Sequence, residues 1–253
     1  MNGGVNMDIY SLLMSSVLVL ISLLFSYSQK LKLEKETIIG VIRAVIQLSV
    51  VGYLLNYIFG LKNPLFTSFL LIFMIFNASY NSAKRSKKFK NGLWISFISI
   101  SIGTVITLSI LLFSKAIKYE PYQIIPVGGM IISNAMVALG LCFNQMNSNF
   151  KNKREEVETK LSLGADILPS SMEIIRSSIK TGMLPTIDSM KTLGIVSLPG
   201  MMTGLILAGT SPVNAVRYQI MVTFMLLSTT SIASFIACYL YYTAFFNEKK
   251  QLI

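Results

Sequence analysis

The stretch Ile124-Ile-Pro-Val-Gly-Gly-Met-Ile-Ile-Ser-Asn-Ala-Met-Val-Ala-Leu-Gly-Leu-Cys-Phe-Asn-Gln-Met146 contains no Asp, Glu, Lys or Arg. A helix needs roughly 20 predominantly apolar residues to cross the hydrocarbon core of a bilayer, and this run is long enough. Similar runs lie on both sides of it. Met7–Tyr27, Ile38–Phe59, Pro64–Ala83 and Leu93–Ser114 precede it, and Thr192–Gly209 and Val216–Phe246 follow. Backbone amides in lipid must find partners within their own segment, so each run reads as helix. The expectation is an all-α polytopic membrane protein of about seven transmembrane helices, forming one transmembrane domain over 1–253. Thr192–Gly209 is short for a span, and the last run is long enough to tilt or extend past the headgroups.

The charges orient these spans. Lys30, Lys32 and Lys35 follow the first run, and Lys84, Arg85, Lys87, Lys88 and Lys90 follow the third. Seven more basic residues from Lys151 to Lys191 lie between the fifth and sixth runs, and Lys249 and Lys250 come near the end. The alternate gaps hold only Lys62, Lys115, Lys118 and Arg217. Lys and Arg favour cytoplasmic loops. The pattern predicts an external N-terminus, an internal C-terminus and a cytoplasmic segment over 147–191.

Composition agrees. Hydrophobic residues make up 53% of the chain and charged residues 13%, against roughly 25% charged in soluble domains. The net charge of +11 sits beside membrane ends, which points to anionic lipid headgroups rather than nucleic acid. Cys142 and Cys238 fall in apolar runs without zinc or redox spacing. The first run lacks the basic flank and small-residue site of a cleaved signal peptide.

Several chemistries are missing their residues. The chain has no histidine, which removes Ser-His-Asp and Cys-His nucleophile systems and His-based zinc hydrolase motifs. No Gly-x-x-x-x-Gly-Lys-Ser/Thr loop is present, so no Walker-type ATP site is expected and no cofactor is assigned to this chain. No Asp or Glu interrupts the middle of an apolar run, where ion-coupled carriers usually keep one. A transport pathway driven by another protein's ATP remains.

The inner segment is where such a drive would enter. Arg154–Leu168 has Val157, Leu161, Gly164 and Leu168 near helical spacing, with Glu155, Glu156, Glu158 and Lys160 between them. Pro169 is expected to break the chain. Ser170 and Glu173 then read as a capping box, opening a helix with an apolar stripe of Met172, Ile175 and Ile179. Gly182 is placed to end it, with Pro185 following as a breaker. The expected product is a pair of short amphipathic helices at the cytoplasmic face, either anchored in the interface or docked into another protein.

Glu158-Thr-Lys-Leu-Ser-Leu-Gly164-Ala165 resembles the coupling loop of ATP-binding-cassette (ABC) permeases, with Glu and Gly at that motif's spacing. A Leu-Pro usually follows the glycine more closely than Leu184-Pro185 does here. The wider pattern is similar to the FetB-type iron-export ABC permease family, related to plant aluminium-tolerance permeases. It runs through Arg43–Tyr53, Phe76–Asn81, Lys84–Lys87, Gly129–Cys142, Pro185–Gly194, Val196–Gly209 and Tyr218–Thr229. The resemblance implies a homodimeric permease subunit in the bacterial inner membrane that exports iron. A separate ATPase subunit would hold ATP and Mg. Glu158, Leu161, Gly164 and Ala165 of that loop, with Met172 and Ile175 of the apolar stripe, are the candidate ATPase-coupling residues. Another metal or a nucleotide-sugar stays open as cargo. An ion-coupled carrier and a non-transporting membrane scaffold stay open as other functions.

Candidate pathway residues are Arg43, Gln47, Met130, Asn134, Pro199, Gly200, Met201 and Met202. Leu198-Pro-Gly200 interrupts the sixth run, and a broken helix leaves carbonyls free for a ligand. Thioethers are soft ligands, better matched to copper(I) than to iron(II), and in a Met-rich core they also serve as ordinary packing. Asn134 must find partners, whether as interhelical glue or as pathway. Arg43 is also placed to snorkel to the inner interface, with Gln47 one turn further on the same face. Gly200 and Gly204 form a Gly-x-x-x-Gly pair suited to close helix packing. Asp188 reads as an orienting residue at the entry to the sixth helix.

Overall fold

A computed structural model describes residues 8–61, 64–86 and 89–253. Met7, Lys62, Lys87 and Lys88 of the sequence reading lie outside the described residues. The described residues are almost wholly helical, and among them no β-strand forms beyond the isolated bridges Leu193↔Ser197 and Phe246↔Leu252. The chain divides into two compact units, Met1–Lys62 and Asn63–Ile253.

The first unit holds α1 (Ile9–Ser15), α2 (Val17–Ser28) and α3 (Glu34–Leu61). The first apolar run is therefore interrupted once, at Ser16. Its hydroxyl and its N–H both bond Leu13 O, at 2.6 and 3.1 Å, and such local bonding tightens a helix. Ser26 donates to Glu34 Oε1 at 2.9 Å, which ties α2 to the first turn of α3.

The second unit contains α4 (Pro64–Ala83), α5 (Phe89–Phe113), α6 (Pro121–Asn152), α7 (Arg154–Ser162), α8 (Ile167–Thr192), α9 (Gly200–Leu207) and α10 (Pro212–Tyr241). A 3-10 turn, Tyr242–Phe245, follows. Helix α6 is central, packed by α4, α8 and α10, and α5 lies on α4 and α10. Its side chains Ile124, Ile131, Leu139, Phe143 and Met146 are wholly buried. Apolar burial drives little of this in lipid, where small residues and interhelical hydrogen bonds hold helices together. Thr107 and Thr229 accordingly share a hydrogen bond of 2.8 Å between α5 and α10.

Five segments among the described residues are long and apolar enough to cross a membrane: Glu34–Tyr53, Pro64–Ala83, Asn91–Phe113, Pro121–Asn152 and Pro212–Phe245. With them, the chain is a multi-pass membrane protein.

Three expectations about the inner segment and sixth run are corrected. First, Ser170 does not open the second inner helix. Asp166 is the N-cap of α8 and accepts the Ile167 N–H at 2.9 Å. Pro169 falls in the first turn, where its missing donor costs nothing.

Second, α8 does not stop at Gly182 or Pro185; it runs unbroken to Thr192. Gly182 is required for packing instead. A Cβ there would lie 2.4 Å from Cys142 Sγ and 3.0 Å from Ala138 O. The second inner helix is thus a long core helix, not a short interfacial one.

Third, Thr192–Gly209 is not a span-length helix. Leu193–Pro199 folds as a turn in which Gly194 takes φ +80° and its N–H bonds Ser197 O at 2.9 Å. Only α9 follows, about 12 Å long at the usual rise.

Candidate functional site

Two places in the second unit carry the residues that sequence reasoning singled out. One is a cavity of about 310 Å³ between α6, α8, α9 and α10, lined by Met130, Asn134, Pro199, Gly200 and Met201 among others. Asn134 spends one amide hydrogen on Met130 O of its own helix, at 2.9 Å. Its carbonyl oxygen accepts nothing within the described residues.

Gln219 enters the same cavity from α10, and its buried Oε1 has no hydrogen-bond partner among the described residues. An unpaired buried acceptor costs about 1–3 kcal/mol, so this oxygen is suited to a ligand or water in the cavity. Ser189, Met190 and Thr223 add two hydroxyls and a third thioether. The set is electrically neutral, with soft sulfur and harder oxygen donors side by side.

The cavity does not gather every candidate. Met202 is half-buried but does not line it. Arg43 and Gln47 lie in the first unit, exposed beside Ile39, Ile42 and Ile46 on one face of α3. Gly200 and Gly204 are exposed, and a Cβ on either would meet nothing within 4 Å; the pair packs against nothing within the described chain.

The second place is the turn from α7 to α8. Gly164 takes φ +90°, and its N–H bonds Leu161 O while Ala165 N–H bonds Lys160 O, both at 3.0 Å. This reciprocal pair is a Schellman ending, which places a glycine in the left-handed region at low cost. Glu158, Leu161, Gly164 and Ala165 line one concavity of about 850 Å³ together with Lys249–Leu252 of the C-terminal tail.

Ionic contacts brace this turn. Arg154 bonds Glu158 at 2.8 Å, Lys160 bonds Glu156 at 2.5 Å, and Lys153 pairs with Glu173 on α8. The Glu173 carboxylate raises the Lys153 pKa, and the Lys160 ammonium lowers that of Glu156. Lys250 lowers the Asp166 pKa, helped by the Ile167 N–H. Arg154 Nη2 also reaches Leu252 O at 3.3 Å. Beneath them Phe150 and Phe245 stack with ring centroids 4.0 Å apart.

Met172 and Ile175 face inward. Ile175 is fully buried, and Met172 accepts the Tyr239 hydroxyl at 3.6 Å. They fasten α8 to the bundle, leaving Glu158, Leu161, Gly164 and Ala165 at the turn itself.

The family model described as "Uncharacterised protein family (UPF0014)" matches residues 9–246. This chain belongs to the UPF0014 family. Among UPF0014 relatives, the Escherichia coli protein named "Probable iron export permease protein FetB" is 48% identical over 243 residues, covering 96% of this chain and 94% of that one. Bacillus subtilis YjkA is 39% identical, covering 97% and 98%. Arabidopsis thaliana "Protein ALUMINUM SENSITIVE 3" is 35% identical, covering 93% and 86%. No solved structure matches.

Sequence reasoning missed Gln219, Met190 and the tail. Gln219 carried the signal used for Asn134, an amide inside an apolar run. Met190 and Ser189 were hidden once α8 was expected to end at Gly182. Leu163, 83% exposed at the coupling turn, lies within the quoted run Glu158–Ala165 but was not singled out.

Proposed function

We propose that this chain is the transmembrane permease subunit of an ABC exporter and that it works as a homodimer in the bacterial inner membrane. A separate ATPase subunit holds ATP and Mg, and this chain supplies the path and catalyses nothing itself. The cargo is iron, a reading supported by the name of the E. coli relative. The seven crossings are the first run, α3, α4, α5, α6, α8 with α9, and α10. The N-terminus is outside, and Lys30, Lys32, Lys35, Lys84, Arg85, Lys151, Lys153, Arg154, Lys160, Lys249 and Lys250 are inside.

The observation that carries this reading is the continuity of α8. One end is capped by Asp166 at the Gly164 turn, and the other brings Ser189 and Met190 to the cavity. At 26 residues the helix is about 39 Å long. A push on Glu158, Leu161, Gly164 and Ala165, with Leu163 as the exposed apolar knob, is carried to the cavity along one helix, in which Pro185 removes a single backbone hydrogen bond. The turn Leu193–Pro199 is the hinge about which α9 moves, and alternating access follows from two positions of that rod.

Reconstitution into vesicles loaded with iron tests the scheme. Efflux requires the partner ATPase and hydrolysable ATP; equal efflux without either defeats it. Parallel vesicles loaded with other divalent metals or a nucleotide-sugar decide the cargo.

Asp188 favours a second reading, an ion-coupled carrier, because it is an exposed carboxylate, paired with Lys191 at 2.8 Å, next to the cavity-lining Ser189 of α8. Efflux that an uncoupler abolishes and ATP does not restore would select it.

A further inference from the structure

Packing does not account for the sulfurs around the cavity between α6, α8, α9 and α10. Met130 comes from α6, Met190 from α8 and Met201 from α9, and all three line it. Methionine moulds itself readily into irregular gaps, and protein interiors leave few voids larger than a water molecule. Three flexible thioethers nevertheless border about 310 Å³ that they leave unfilled. The Ser133 hydroxyl and the Asn134 amide both end on the backbone carbonyl of Met130 and not on its sulfur.

The lining contains no Asp, Glu, Lys or Arg. The work of moving an ion from water into such a place grows with the square of its charge. A divalent ion therefore costs about four times as much as a monovalent one of equal size, and a neutral donor set favours a single positive charge. Thioether sulfur selects soft metals such as copper(I), and unlike a thiolate it binds without first losing a proton. Two oxygens complete the set. Gln219 Oε1 is buried with no partner among the described residues. Asn134 spends its amide on Met130 O at 2.9 Å, which leaves its own carbonyl oxygen for a ligand. Both oxygens are acceptors, so they suit a cation or the water it carries.

We propose that this cavity binds a soft monovalent metal ion, of which copper(I) is the biological example, through Met130, Met190 and Met201. Gln219 and Asn134 supply oxygen to the ion or to its water. Iron(II), harder and doubly charged, is the weaker match for these sulfurs, so the soft ion is a ligand additional to the cargo named above. Met201 lies two residues past Pro199, across the Leu193–Pro199 turn from Met190. Movement of α9 about that turn takes one of three sulfurs away from the other two and loosens the ion. Release by this route rests on the alternating-access reading above; the binding site does not.

Copper K-edge absorption tests the site, using the purified full chain grown with selenomethionine and loaded with copper(I) under ascorbate. Copper–selenium backscattering comes only from methionine, so the buried thiols Cys142 and Cys238 cannot produce it. About three selenium neighbours are expected, one from each methionine of the cavity. The same spectrum is expected from a Cys142→Ala/Cys238→Ala form, in which no thiol competes for the metal. Replacing Met130, Met190 and Met201 together by Leu keeps the volume and removes the sulfur, and should abolish the selenium signal. Met201→Leu alone, the milder change, should remove one neighbour. No selenium neighbour in either the parent or the thiol-free form overturns the proposal. Selenium neighbours that persist in the triple variant also overturn it, by placing copper on other methionines. ATP-dependent copper(I) efflux from vesicles holding the partner ATPase, reduced at least tenfold by Met201→Leu, would extend the site to transport. Iron efflux that needs no ATP would defeat the exporter and leave the copper–selenium result standing.

Discussion

Lys250 Nζ donates to Asp166 Oδ1 across 2.9 Å, so a residue of the C-terminal tail is bonded to the cap of the helix that leads to the cavity. The same Asp166 oxygen accepts the Ile167 N–H. The tail and the start of α8 thus share one carboxylate. Lys250→Ala should leave the α8 cap in place and free the tail. Hydrogen exchange of the Ile253 amide, now bonded to Phe245 O at 2.8 Å, should quicken severalfold.

The same contact sets a pH dependence. Lys250 and the Ile167 N–H hold the Asp166 pKa below its ordinary value. Its stabilisation is therefore complete above the unfolded aspartate pKa and is lost as pH falls through the lower folded value. The protection of tail amides in the wild type, meaning exchange corrected for its intrinsic pH dependence, should be flat near neutrality and fall only in acid. The Lys250→Ala variant should lose that acid step.

Gly164→Val should break the coupling turn without crowding it. A Cβ at this position meets nothing within 4 Å, but φ +90° is unfavourable for an L-residue by about 1–2 kcal/mol, and more for a β-branched one. ATP hydrolysis in the reconstituted complex should persist while efflux falls, with membrane insertion unchanged. Gly164→Asn, which tolerates left-handed backbone better, should retain more coupling. Normal efflux in Gly164→Val would remove the turn from the docking surface.

Gly182→Ala crowds where Gly164→Val does not. Its new methyl would press on Cys142 Sγ and Ala138 O, and overpacking of this kind costs about 1–3 kcal/mol. Thermal unfolding in detergent should fall by several degrees. Adding Cys142→Ala should recover part of the loss, since the sulfur is removed and the carbonyl stays.

Gln219→Leu separates pathway from packing. Removing an unsatisfied buried amide should hold or raise thermal stability, because its cost disappears with it. If Oε1 serves the cargo, efflux should fall about tenfold, equivalent to roughly 1.4 kcal/mol. Unaltered efflux would take Gln219 out of the path.

Much of this was readable in the chain. The run Pro64–Ala83 became α4 with the same limits, because twenty apolar residues in lipid have one economical backbone solution. Helices α5, α6 and α10 each begin about a turn earlier than expected, and α6 also runs past Met146 to Asn152, since polar residues such as Asn149 continue a helix once it is under way, whereas α10 stops at Tyr241, short of Phe246. Asn134 and the Pro199–Met201 break were recognisable as residues that apolar runs do not need. Gln219 was equally visible and was overlooked.

What residue order alone determined was the bilayer as solvent and the helical class, because length and apolarity are local properties; the first inner helix, expected to run to Leu168, instead ends at Ser162 with Gly164 in the left-handed region beyond it. What only the tertiary structure decided was the fate of Gly182 and Pro185. A glycine reads as a stop until a neighbouring helix is seen to fill the space its side chain would take. Likewise a charged helix reads as a short interfacial one until Cys142, Ala138 and Ser234 are found packed along its other face. Those facts depend on which surfaces meet, and no window of sequence contains both surfaces.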